Sequence, residues 1–366
     1  MNSPKPRPGI LDIAPYVAGT SSIKGQTEVI KLSSNEGAFG PSPKAVKALQ
    51  EMAASAHRYP DGNSANVRQA IAEIYNLNAE QIVCGAGSDE LISLLCQAYG
   101  GPGDEILYSR HGFLMYEISA RAVGATPVSA PETNLTADVD HVLSCVTDKT
   151  RILFLANPNN PTGTYLSHSE MHRLRKNLRS DIILVIDAAY AEFVERNDYQ
   201  AGADLVDLGD NTVMTRTFSK IYALGGLRLG WAYCPPSICG ILNRIRGPFN
   251  VGSQAMICGE AAVNDLAFTK KCKDHNDTWL TWTAVELRKL GLFVPENSVG
   301  NFVLVRFPET PGKTAADADA FLQNHNIIIR RLEGYGLADC LRITIGLEHE
   351  MRAVIKNLRL FMGKNS

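Results

Sequence analysis

Chemistry in this chain centres on a lysine that stands between two hydroxyl residues and a downstream arginine. The stretch from Thr215 to Trp231 reads Thr-Arg-Thr-Phe-Ser-Lys-Ile-Tyr-Ala-Leu-Gly-Gly-Leu-Arg-Leu-Gly-Trp, with the lysine at position 220. Thr217, Ser219 and Arg228 are donors suited to a phosphate group. A lysine held beside an arginine has its ammonium form disfavoured, which favours Schiff-base chemistry with a carbonyl. The pattern predicts that Lys220 is a catalytic amine beside a phosphate site.

On its own this lysine has a simpler interpretation, because most lysines that follow a strand are solvated at the surface. The surrounding pattern favours the catalytic one: a strand predicted over 212–217 leads into Ser219-Lys220, a turn around Gly225-Gly226 follows, and Arg228 opens a second apolar strand. The stretch resembles the Schiff-base lysine segment of fold-type I aminotransferases, where a Ser-Lys pair is followed by a small-residue loop and Gly-Leu-Arg-x-Gly. The resemblance implies that Lys220 carries the cofactor pyridoxal 5'-phosphate.

The elements that must position this loop belong to an ordinary globular chain. It has 366 residues, of which 45% are hydrophobic and 20% charged, enough for more than one hydrophobic core. Its formal net charge is -2 at pH 7, so neither nucleic acid nor an anionic membrane is an expected partner. Small molecules are therefore the expected ligands.

Cysteine use and the N-terminus predict a cytoplasmic protein. The eight cysteines are scattered without a Cys-x-x-Cys pair, so we expect core thiols rather than disulfides, and no metal site. The N-terminal sequence Met-Asn-Ser-Pro-Lys-Pro-Arg-Pro-Gly has prolines where a signal peptide needs an apolar run. No stretch reaches the roughly 18 apolar residues that a membrane span requires.

Alternating strands and helices predict an α/β fold. From residue 81 onward short apolar strands alternate with helices as far as the strand 182–186, the pattern of crossovers that feed a mainly parallel sheet. The resemblance to fold-type I enzymes implies a seven-stranded sheet between helices. Helices follow Trp231, one of them over about 253–266. Beyond residue 300, strands over 302–306, 327–331 and 341–345 and helices over about 315–323 and 348–362 predict a smaller α+β layer. We therefore expect an extended, proline-rich N-terminal arm (1–34), a large cofactor-binding domain (35–252) and a small C-terminal domain (253–366).

A glycine-containing turn joins the first of these strands to its helix. Gly85-Ala-Gly-Ser-Asp-Glu90 offers backbone amides and the positive end of a helix, which together bind anions. Gly-x-Gly at such a turn also suggests a dinucleotide fold, but Glu90 stands where that fingerprint goes on to its third glycine. A cofactor phosphate ranks higher because the lysine loop has donors for the same group. Gly87, Ser88 and Asp89 are then expected to bind the cofactor.

Two further loops follow strands at the edge of the sheet where ligands gather in open α/β folds. Phe113 lies just past the strand 105–109, and Asn160 lies in Asn157-Pro-Asn-Asn-Pro-Thr-Gly163, which follows the strand 152–156. Core packing and a plain turn are the simpler interpretations of the two. The resemblance implies instead that Phe113 stacks on the pyridine ring and that Asn160 donates to the cofactor's 3'-oxygen.

Asp187 ends the strongly apolar strand 182–186, which places a carboxylate at the carboxyl edge of a buried sheet. A buried acid needs a charged partner, and a pyridinium nitrogen is such a partner. An N-cap for the next segment is the simpler alternative. Tyr190, three residues later, is expected to reach the cofactor's 3'-oxygen beside Asn160, or else to be a packed core aromatic.

Segments outside the lysine loop resemble the histidinol-phosphate aminotransferases within this class. Asn35-Glu-Gly-Ala and Arg-Tyr-Pro-Asp at 58–61 correspond to their Asn-Glu-Asn-Pro and Arg-Tyr-Pro-Asp loops, with Gly37 and Ala38 as departures. The segment Gly-Tyr-Gly-Leu at 334–337 also fits their pattern. The resemblance implies that Asn35 and Tyr16 bind substrate, and that Tyr59 reaches the cofactor phosphate of a neighbouring subunit in a homodimer with shared sites.

Two arginines of the C-terminal segment complete the expected site. Arg330 follows Ile327-Ile-Ile, and Arg342 lies in Leu-Arg-Ile-Thr-Ile-Gly at 341–346. Strand arginines are usually solvated, but the resemblance implies that Arg342 meets the substrate carboxylate and that Arg330 holds the distal group. A bidentate guanidinium suits either a carboxylate or a phosphate, which lets one pocket serve two substrates in turn.

The resemblance implies transamination of histidinol phosphate with 2-oxoglutarate, giving imidazole acetol phosphate and glutamate in L-histidine biosynthesis. An aromatic amino-acid aminotransferase, or an enzyme with both activities, is the alternative within the class. A noncatalytic cofactor-binding domain is disfavoured because Lys220 and Asp187 are both present. A nicotinamide-dependent dehydrogenase is disfavoured by the incomplete glycine fingerprint.

Overall fold

The structure is a computed structural model that describes residues 4–17, 19–26 and 28–364. Parts of the arm expected over 1–34, namely residues 1–3, 18 and 27, lie outside the described residues. The strands in chain order are β1 Ile30–Lys31, β2 Ile82–Gly85, β3 Glu105–Ser109, β4 Thr126–Ala130, β5 Glu132–Thr133, β6 Thr136–Ala137, β7 Thr150–Ala156, β8 Ile183–Asp187, β9 Thr212–Thr217, β10 Gly230–Tyr233, β11 Phe302–Arg306, β12 Ile327–Ile328, β13 Arg330–Arg331 and β14 Cys340–Thr344.

Helices cover the sheets and several have side-chain caps. In chain order they are α1 Pro43–Met52, α2 Ala65–Tyr75, α3 Ser88–Tyr99, α4 Met115–Ala122, α5 Val139–Ser144, α6 His168–Asn177, α7 Ala203–Asp207, α8 Pro236–Ile245, α9 Ser253–Val263, α10 Leu266–Lys289, α11 Ala315–Gln323 and α12 Glu348–Met362. Ser42 accepts from the third residue of α1, and Thr314 forms a capping box with Asp317 at the start of α11.

A seven-stranded sheet in the order β2-β10-β9-β8-β7-β3-β4 forms the centre of the larger unit. Strands β7, β8 and β9 are almost fully buried because helices cover both faces, which explains their continuous apolar runs. Only β10 runs antiparallel to its neighbours β9 and β2. The prediction of a mainly parallel seven-stranded sheet between helices is confirmed.

Strand direction brings the site residues to one edge of this sheet. The parallel strands β3, β7, β8 and β9 all end at that edge, where Ala156 pairs with Asp187 and Asp187 with Thr215. Because β10 is antiparallel, it begins there, with Gly230 opposite both Gly85 and Thr217. The lysine loop between β9 and β10 therefore leaves and re-enters the sheet beside the end of β2.

A smaller unit contains a three-stranded antiparallel sheet in the order β11-β14-β13. Helices α10, α11 and α12 pack on it around a separate apolar core that includes Val303, Ile343 and Leu358. The segment predicted as one strand over 327–331 is divided, because β12 pairs in parallel with β1 of the arm while β13 pairs with β14. No helix in the described ranges is long and apolar enough to span a membrane.

Helix α9 packs in the core of the larger unit. Met256, Cys258 and Val263 on this helix lie in the same core as Trp231 and Phe218 of the larger unit. The helix ends at Val263 rather than near Leu266 as predicted, and α10 follows at once. We therefore propose that the division falls beyond the predicted residue 252, after α9.

Candidate active site

A cleft of about 320 Å³ opens at this edge of the large sheet, between the two units and the arm. Most residues expected to bind cofactor or substrate line it, namely Tyr16, Asn35, Ser88, Asp89, Phe113, Asn160, Asp187, Tyr190, Thr217, Ser219, Lys220, Arg228, Arg330 and Arg342. They come from segments more than 300 residues apart in the chain. Gly87 and Tyr59 are the two expected residues that do not line this cleft.

The amine of Lys220 lies in a buried, electrostatically mixed environment. Its Nζ approaches the backbone carbonyl of Ser34 at 3.4 Å and sits 5.6 Å from the centre of the Tyr190 ring. Burial, and after it the charge of Arg342, lowers the pKa of Lys220 from 10.5 to about 8, although Asp89 and Glu36 oppose the shift. Roughly a tenth of such an amine is neutral at pH 7, against a negligible fraction for a surface lysine.

The cause of this shift differs from the sequence argument. There the arginine downstream in the same loop was expected to disfavour the ammonium form. Arg228 does lower the pKa of Lys220, but its effect is smaller than those of burial and of Arg342. Arg342 lies on β14 of the smaller unit, so part of the shift in the Lys220 pKa depends on contact between the two units.

The donors expected for a phosphate meet at the N-terminus of α3. Gly87 caps this helix without a side-chain hydrogen bond, which leaves N–H groups of its first turn without a side-chain cap. Thr217 and Ser219 are linked through their hydroxyls at 3.0 Å. The Arg228 guanidinium donates to Asp89 at 2.9 Å, and its Nη1 also donates to the carbonyl of Gly225 at 3.0 Å. The helix end and the hydroxyls offer donors to an anion here, while Asp89 balances the charge of Arg228.

Two glycines allow that close approach. A Cβ on Gly87 would lie 2.3 Å from Nη2 of Arg228, and Gly87 also has a φ of +85°. A Cβ on Gly230 would lie 2.3 Å from the backbone nitrogen of Ser88. Gly87 therefore supports the phosphate end by making room for the arginine rather than by lining the cleft.

Asp187 is a buried carboxylate whose hydrogen bonds come from neutral groups. Oδ2 accepts from the Tyr116 hydroxyl at 2.8 Å, Oδ1 accepts from the Thr215 hydroxyl at 3.4 Å, and the backbone of Ala189 also donates. Burial raises the pKa of Asp187 from 3.8 to about 6, and the Tyr116 hydrogen bond limits the rise. A cationic ligand atom in the cleft would supply the charged partner that this acid needs.

Tyr190 is buried and has a fixed neighbour. The Asn35 side chain donates from Nδ2 to the Tyr190 oxygen at 2.8 Å, and Asn35 is itself held by hydrogen bonds to Thr344. Burial raises the pKa of Tyr190 to about 12, although the charge of Arg342 opposes this. The hydroxyl therefore keeps its proton at neutral pH and can donate it to a ligand.

Asn160 and Arg342 are joined across the two units. Nη1 of Arg342 donates to Oδ1 of Asn160, and Nη2 donates to the carbonyl of Ser33 at 2.9 Å. Because Oδ1 accepts this bond, Nδ2 of Asn160 is the atom available to donate to a ligand. Nε of Arg342 is buried and has no hydrogen-bond partner among the described residues. An unsatisfied buried donor on a cation indicates a place for an anionic group.

The outer end of the cleft is formed by the arm and the C-terminal unit. Arg330 donates to the carbonyl of Val17 at 2.9 Å, which holds the arm across the cleft. Tyr16 is half exposed there, and Tyr335 is buried beside it. Burial raises the pKa of Tyr335 to about 12, so this phenol is also a donor. Phe113 lies on the wall, edge-on to the Tyr116 ring at a centroid distance of 5.9 Å.

Tyr59 lies on the surface of this chain. Its side chain is 84% exposed and stacks on Phe249 with ring centroids 4.8 Å apart. A single chain therefore does not bring Tyr59 to its own cleft, and its expected role depends on a second subunit.

Several cleft residues were not predicted from the sequence. The resemblance includes Tyr335 in the Gly-Tyr-Gly-Leu segment at 334–337 but predicts no role for it, and the hydrogen bond from Tyr116 to Asp187 has no local signal in the sequence. Ser33, Ser34 and Glu36 flank the predicted Asn35 and line the cleft as well. The turn cluster around Asn35 was the one signal that could have found them.

The donors and acceptors of the cleft match pyridoxal 5'-phosphate group by group. The buried acid Asp187 suits a protonated ring nitrogen, and Lys220 suits an aldehyde carbon. Tyr190 and Asn160 are placed to donate to a ring oxygen, and Phe113 offers an aromatic face. The end of α3 with the lysine-loop hydroxyls suits a phosphate. One cleft therefore contains side chains suited to a phosphate, to a ring cation and to a carbonyl carbon.

Fold and site together define a transferase of the aminotransferase type, and comparison with known proteins agrees. Residues 27–358 match the model of the family described as aminotransferase class I and II. The chain belongs to this family. It is 61% identical over 363 residues to the histidinol-phosphate aminotransferase of Paramagnetospirillum magneticum, covering 99% of this chain and 100% of that protein. It is 58% identical to the protein of the same name from Rhodospirillum rubrum, covering 98% and 97%.

Solved structures show the same architecture. The crystal structure of histidinol-phosphate aminotransferase from Sinorhizobium meliloti, in complex with pyridoxal-5'-phosphate, aligns with a TM-score of 0.85 and 25% identity over 92% of each chain. Aspartate aminotransferase from Thermus thermophilus aligns with a TM-score of 0.80 at 19% identity, covering 91% of this chain and 92% of that one, which supports the fold alone.

Proposed function

We propose that this protein is a pyridoxal phosphate-dependent aminotransferase that transfers the amino group of histidinol phosphate to 2-oxoglutarate in L-histidine biosynthesis. One observation carries the proposal. A buried amine with a lowered pKa and a buried carboxylate without a cationic partner line one cleft, in a chain 61% identical to a histidinol-phosphate aminotransferase. The same names among full-length relatives favour this substrate over the aromatic amino acids.

Residue roles follow from charge and position. When bound, the cofactor supplies a ring that accepts the electrons left when a proton leaves the substrate's Cα. Asp187 holds the negative charge that keeps the ring nitrogen protonated. Lys220 takes the proton from Cα and later returns a proton, and its pKa of about 8 lets it act as base and acid near neutral pH. Tyr190 and Asn160 orient the ring by donating hydrogen bonds.

Arg342 and Arg330 bind different groups of the substrate. Arg342 is buried and anchored by Asn160 and Ser33, and its Nε has no partner in the part of the chain that the structure describes, so it is suited to an anionic group deep in the cleft. Arg330 lies at the mouth with Tyr16 and Tyr335, which gives the distal position one cation and two phenols. Three donors suit the several oxygens of a phosphate better than the two of a carboxylate.

Side-by-side kinetics of amino donors test the substrate. We expect kcat/KM with 2-oxoglutarate to be higher for histidinol phosphate than for phenylalanine or tyrosine. Arg330→Ala and Tyr16→Phe should lower it more for histidinol phosphate, by about ten- to a hundredfold, since each charge-assisted bond contributes roughly 1.5 to 3 kcal/mol. Arg331→Ala is a matched control, because Arg331 pairs with Glu333 and does not line the cleft. Preference for an aromatic amino acid, with both variants indifferent to phosphate, would refute the substrate.

We also propose a homodimer with shared sites in the cytoplasm. The exposed stack of Tyr59 on Phe249 is the kind of aromatic surface pair that a partner subunit covers. All eight cysteines are free thiols and six of them are buried, which suits a reducing compartment.

A further inference from the structure

A group of two histidines and an aspartate lies outside the active-site cleft. His168 and His172 are one turn apart on α6, and Asp204 is in the first turn of α7. Nε2 of His168 lies 2.8 Å from Oδ2 of Asp204, and Nε2 of His172 lies 2.7 Å from the same oxygen. None of the three lines the cleft described above. The spacing of the two histidines is visible in the sequence, but Asp204 is 32 residues from the nearer one, so only the fold brings the three together.

From this arrangement we propose that His168, His172 and Asp204 form a binding site for a divalent transition-metal ion, of which zinc is the expected occupant. Two histidines at i and i+4 on a helix present their rings on one face, a spacing that recurs in zinc sites. The three ligand atoms all lie within 4.8 Å of one another. Two imidazole nitrogens and one carboxylate oxygen are a ligand set that zinc accepts.

The distances from Oδ2 of Asp204 to the two histidine nitrogens are those of hydrogen bonds rather than of zinc ligands. Zinc binds nitrogen and oxygen ligands at about 2.0 to 2.2 Å, so the ligand atoms of a tetrahedral site stand about 3.3 Å apart. The two nitrogen-to-oxygen distances are shorter because they are hydrogen bonds, and binding requires the aspartate to move back by about half an ångström. Each imidazole must also carry its proton on Nδ1. Side-chain exposures of 41% for His168 and 37% for His172 give solvent access to an ion and to a water as fourth ligand.

The carboxylate itself supplies an independent reason to expect a cation. Oδ2 of Asp204 is shared by two imidazoles, whereas its Oδ1 is buried and has no hydrogen-bond partner among the described residues. An unpaired buried carboxylate oxygen is costly unless a cation or a donor reaches it. A zinc ion bound at Oδ2 would bring a cation to this carboxylate.

Charge and ligand type decide which ion fits. One carboxylate cannot supply the six or more oxygens that calcium prefers, and magnesium also avoids imidazole. Copper and nickel bind such sets as well, so zinc follows from availability and geometry rather than from raw affinity. The positive N-terminal ends of α6 and α7 oppose a cation here, so we expect weaker binding than at a closed four-ligand site. A bound ion would tie α6 to α7 and have a structural role.

Metal titration of the tag-free holoenzyme in phosphate-free buffer tests the site. We expect one zinc ion per chain by calorimetry, with a melting temperature that rises with zinc concentration. His172→Gln and Asp204→Asn should each weaken binding at least tenfold. His325→Gln is the control, since His325 lies in the turn after α11, where its ring stacks on Phe321 and its Nδ1 bonds to the Phe321 carbonyl. Unchanged zinc binding in His172→Gln would overturn the proposal.

A second measurement needs no variant and therefore does not depend on the folding of one. Copper(II) added to the wild-type holoenzyme at one equivalent should show coupling to two imidazole nitrogens in its electron paramagnetic resonance spectrum. Coupling to fewer than two nitrogens, or no bound copper at one equivalent, would overturn the site. Turnover should be the same with and without zinc at one equivalent, because the ligands lie outside the cleft. Inhibition with a stoichiometry of one would place the ion in the active site instead and would also overturn it.

Discussion

The hydrogen bond from Tyr116 to Asp187 allows a quantitative test of how the cofactor site is tuned. The bond is 2.8 Å long, both groups are buried, and the Tyr116 ring stacks on Phe154 at 4.8 Å. Tyr116→Phe keeps the ring and its stacking and removes only the donor. A hydrogen bond to a charged group contributes about 1.5 to 3 kcal/mol, and 1.36 kcal/mol corresponds to one pKa unit. The pKa of Asp187 should therefore rise from about 6 by roughly one to two units.

The shift in the Asp187 pKa should appear in the pH dependence of cofactor binding. The proposed cofactor partner needs the ionised acid, so cofactor affinity should be lost as pH falls through the pKa of Asp187. In the wild type this loss is expected near pH 6, and in Tyr116→Phe about one to two units higher. Equilibrium binding of pyridoxal 5'-phosphate, followed by fluorescence from about pH 5 to about pH 9, measures the two midpoints. Tyr108→Phe is the matched control, because its hydroxyl contacts Glu117 at 3.4 Å rather than Asp187. Identical profiles for Tyr116→Phe and wild type would refute the reasoning.

Three other outcomes are expected. Asp187→Asn should abolish turnover yet stabilise the cofactor-free protein at pH 7 by up to about 3 kcal/mol, because a pKa raised from 3.8 to about 6 makes ionisation of the folded state costly. The added stability should largely disappear as the pH falls from 7 to about 4, because Asp187 then becomes protonated in the unfolded as well as the folded state. Urea denaturation at the two pH values measures the free energy of unfolding, and an unchanged value at pH 7 would contradict the prediction. Glu192→Gln should destabilise the fold by about 3 to 5 kcal/mol in the same assay, because it breaks a 2.8 Å ion pair and leaves Arg216 charged and buried. A change near zero would contradict this prediction. Mixing inactive Lys220→Ala with inactive Tyr59→Ala should restore activity through heterodimers with one intact site, whereas continued inactivity after subunit exchange would argue against shared sites.

Much of the fold was predictable because local patterns and burial agree. Strands 105–109, 212–217 and 302–306 and helices 315–323 and 348–362 match the predicted bounds. Apolar runs and capping residues fix these elements without help from distant contacts. The exception at 327–331 has a physical cause: Ile327–Ile328 pairs with the arm and Arg330–Arg331 with β14, so one run of residues serves two sheets.

Residue chemistry alone predicts site residues that come at or just after the ends of strands, whereas Tyr16, Asn35 and Tyr59 were predicted only from the resemblance. Asp187 and Lys220 carry a local signal, because a charged group directly after a buried strand needs an explanation in the sequence itself. Tyr116 carries none: it occupies an apolar position of a helix, and the acid it contacts is 71 residues away.

The lowered pKa of Lys220 depends on the same kind of distant contact. After burial, its largest cause is Arg342, on a strand of the other unit that is anchored to Asn160 and Ser33. The arm, the large sheet and the small sheet thus meet at one guanidinium. Because Arg342 opposes the ammonium form of Lys220, a change that loosens the Arg342 anchor should raise the pKa of Lys220 toward its ordinary value while the lysine loop itself stays intact.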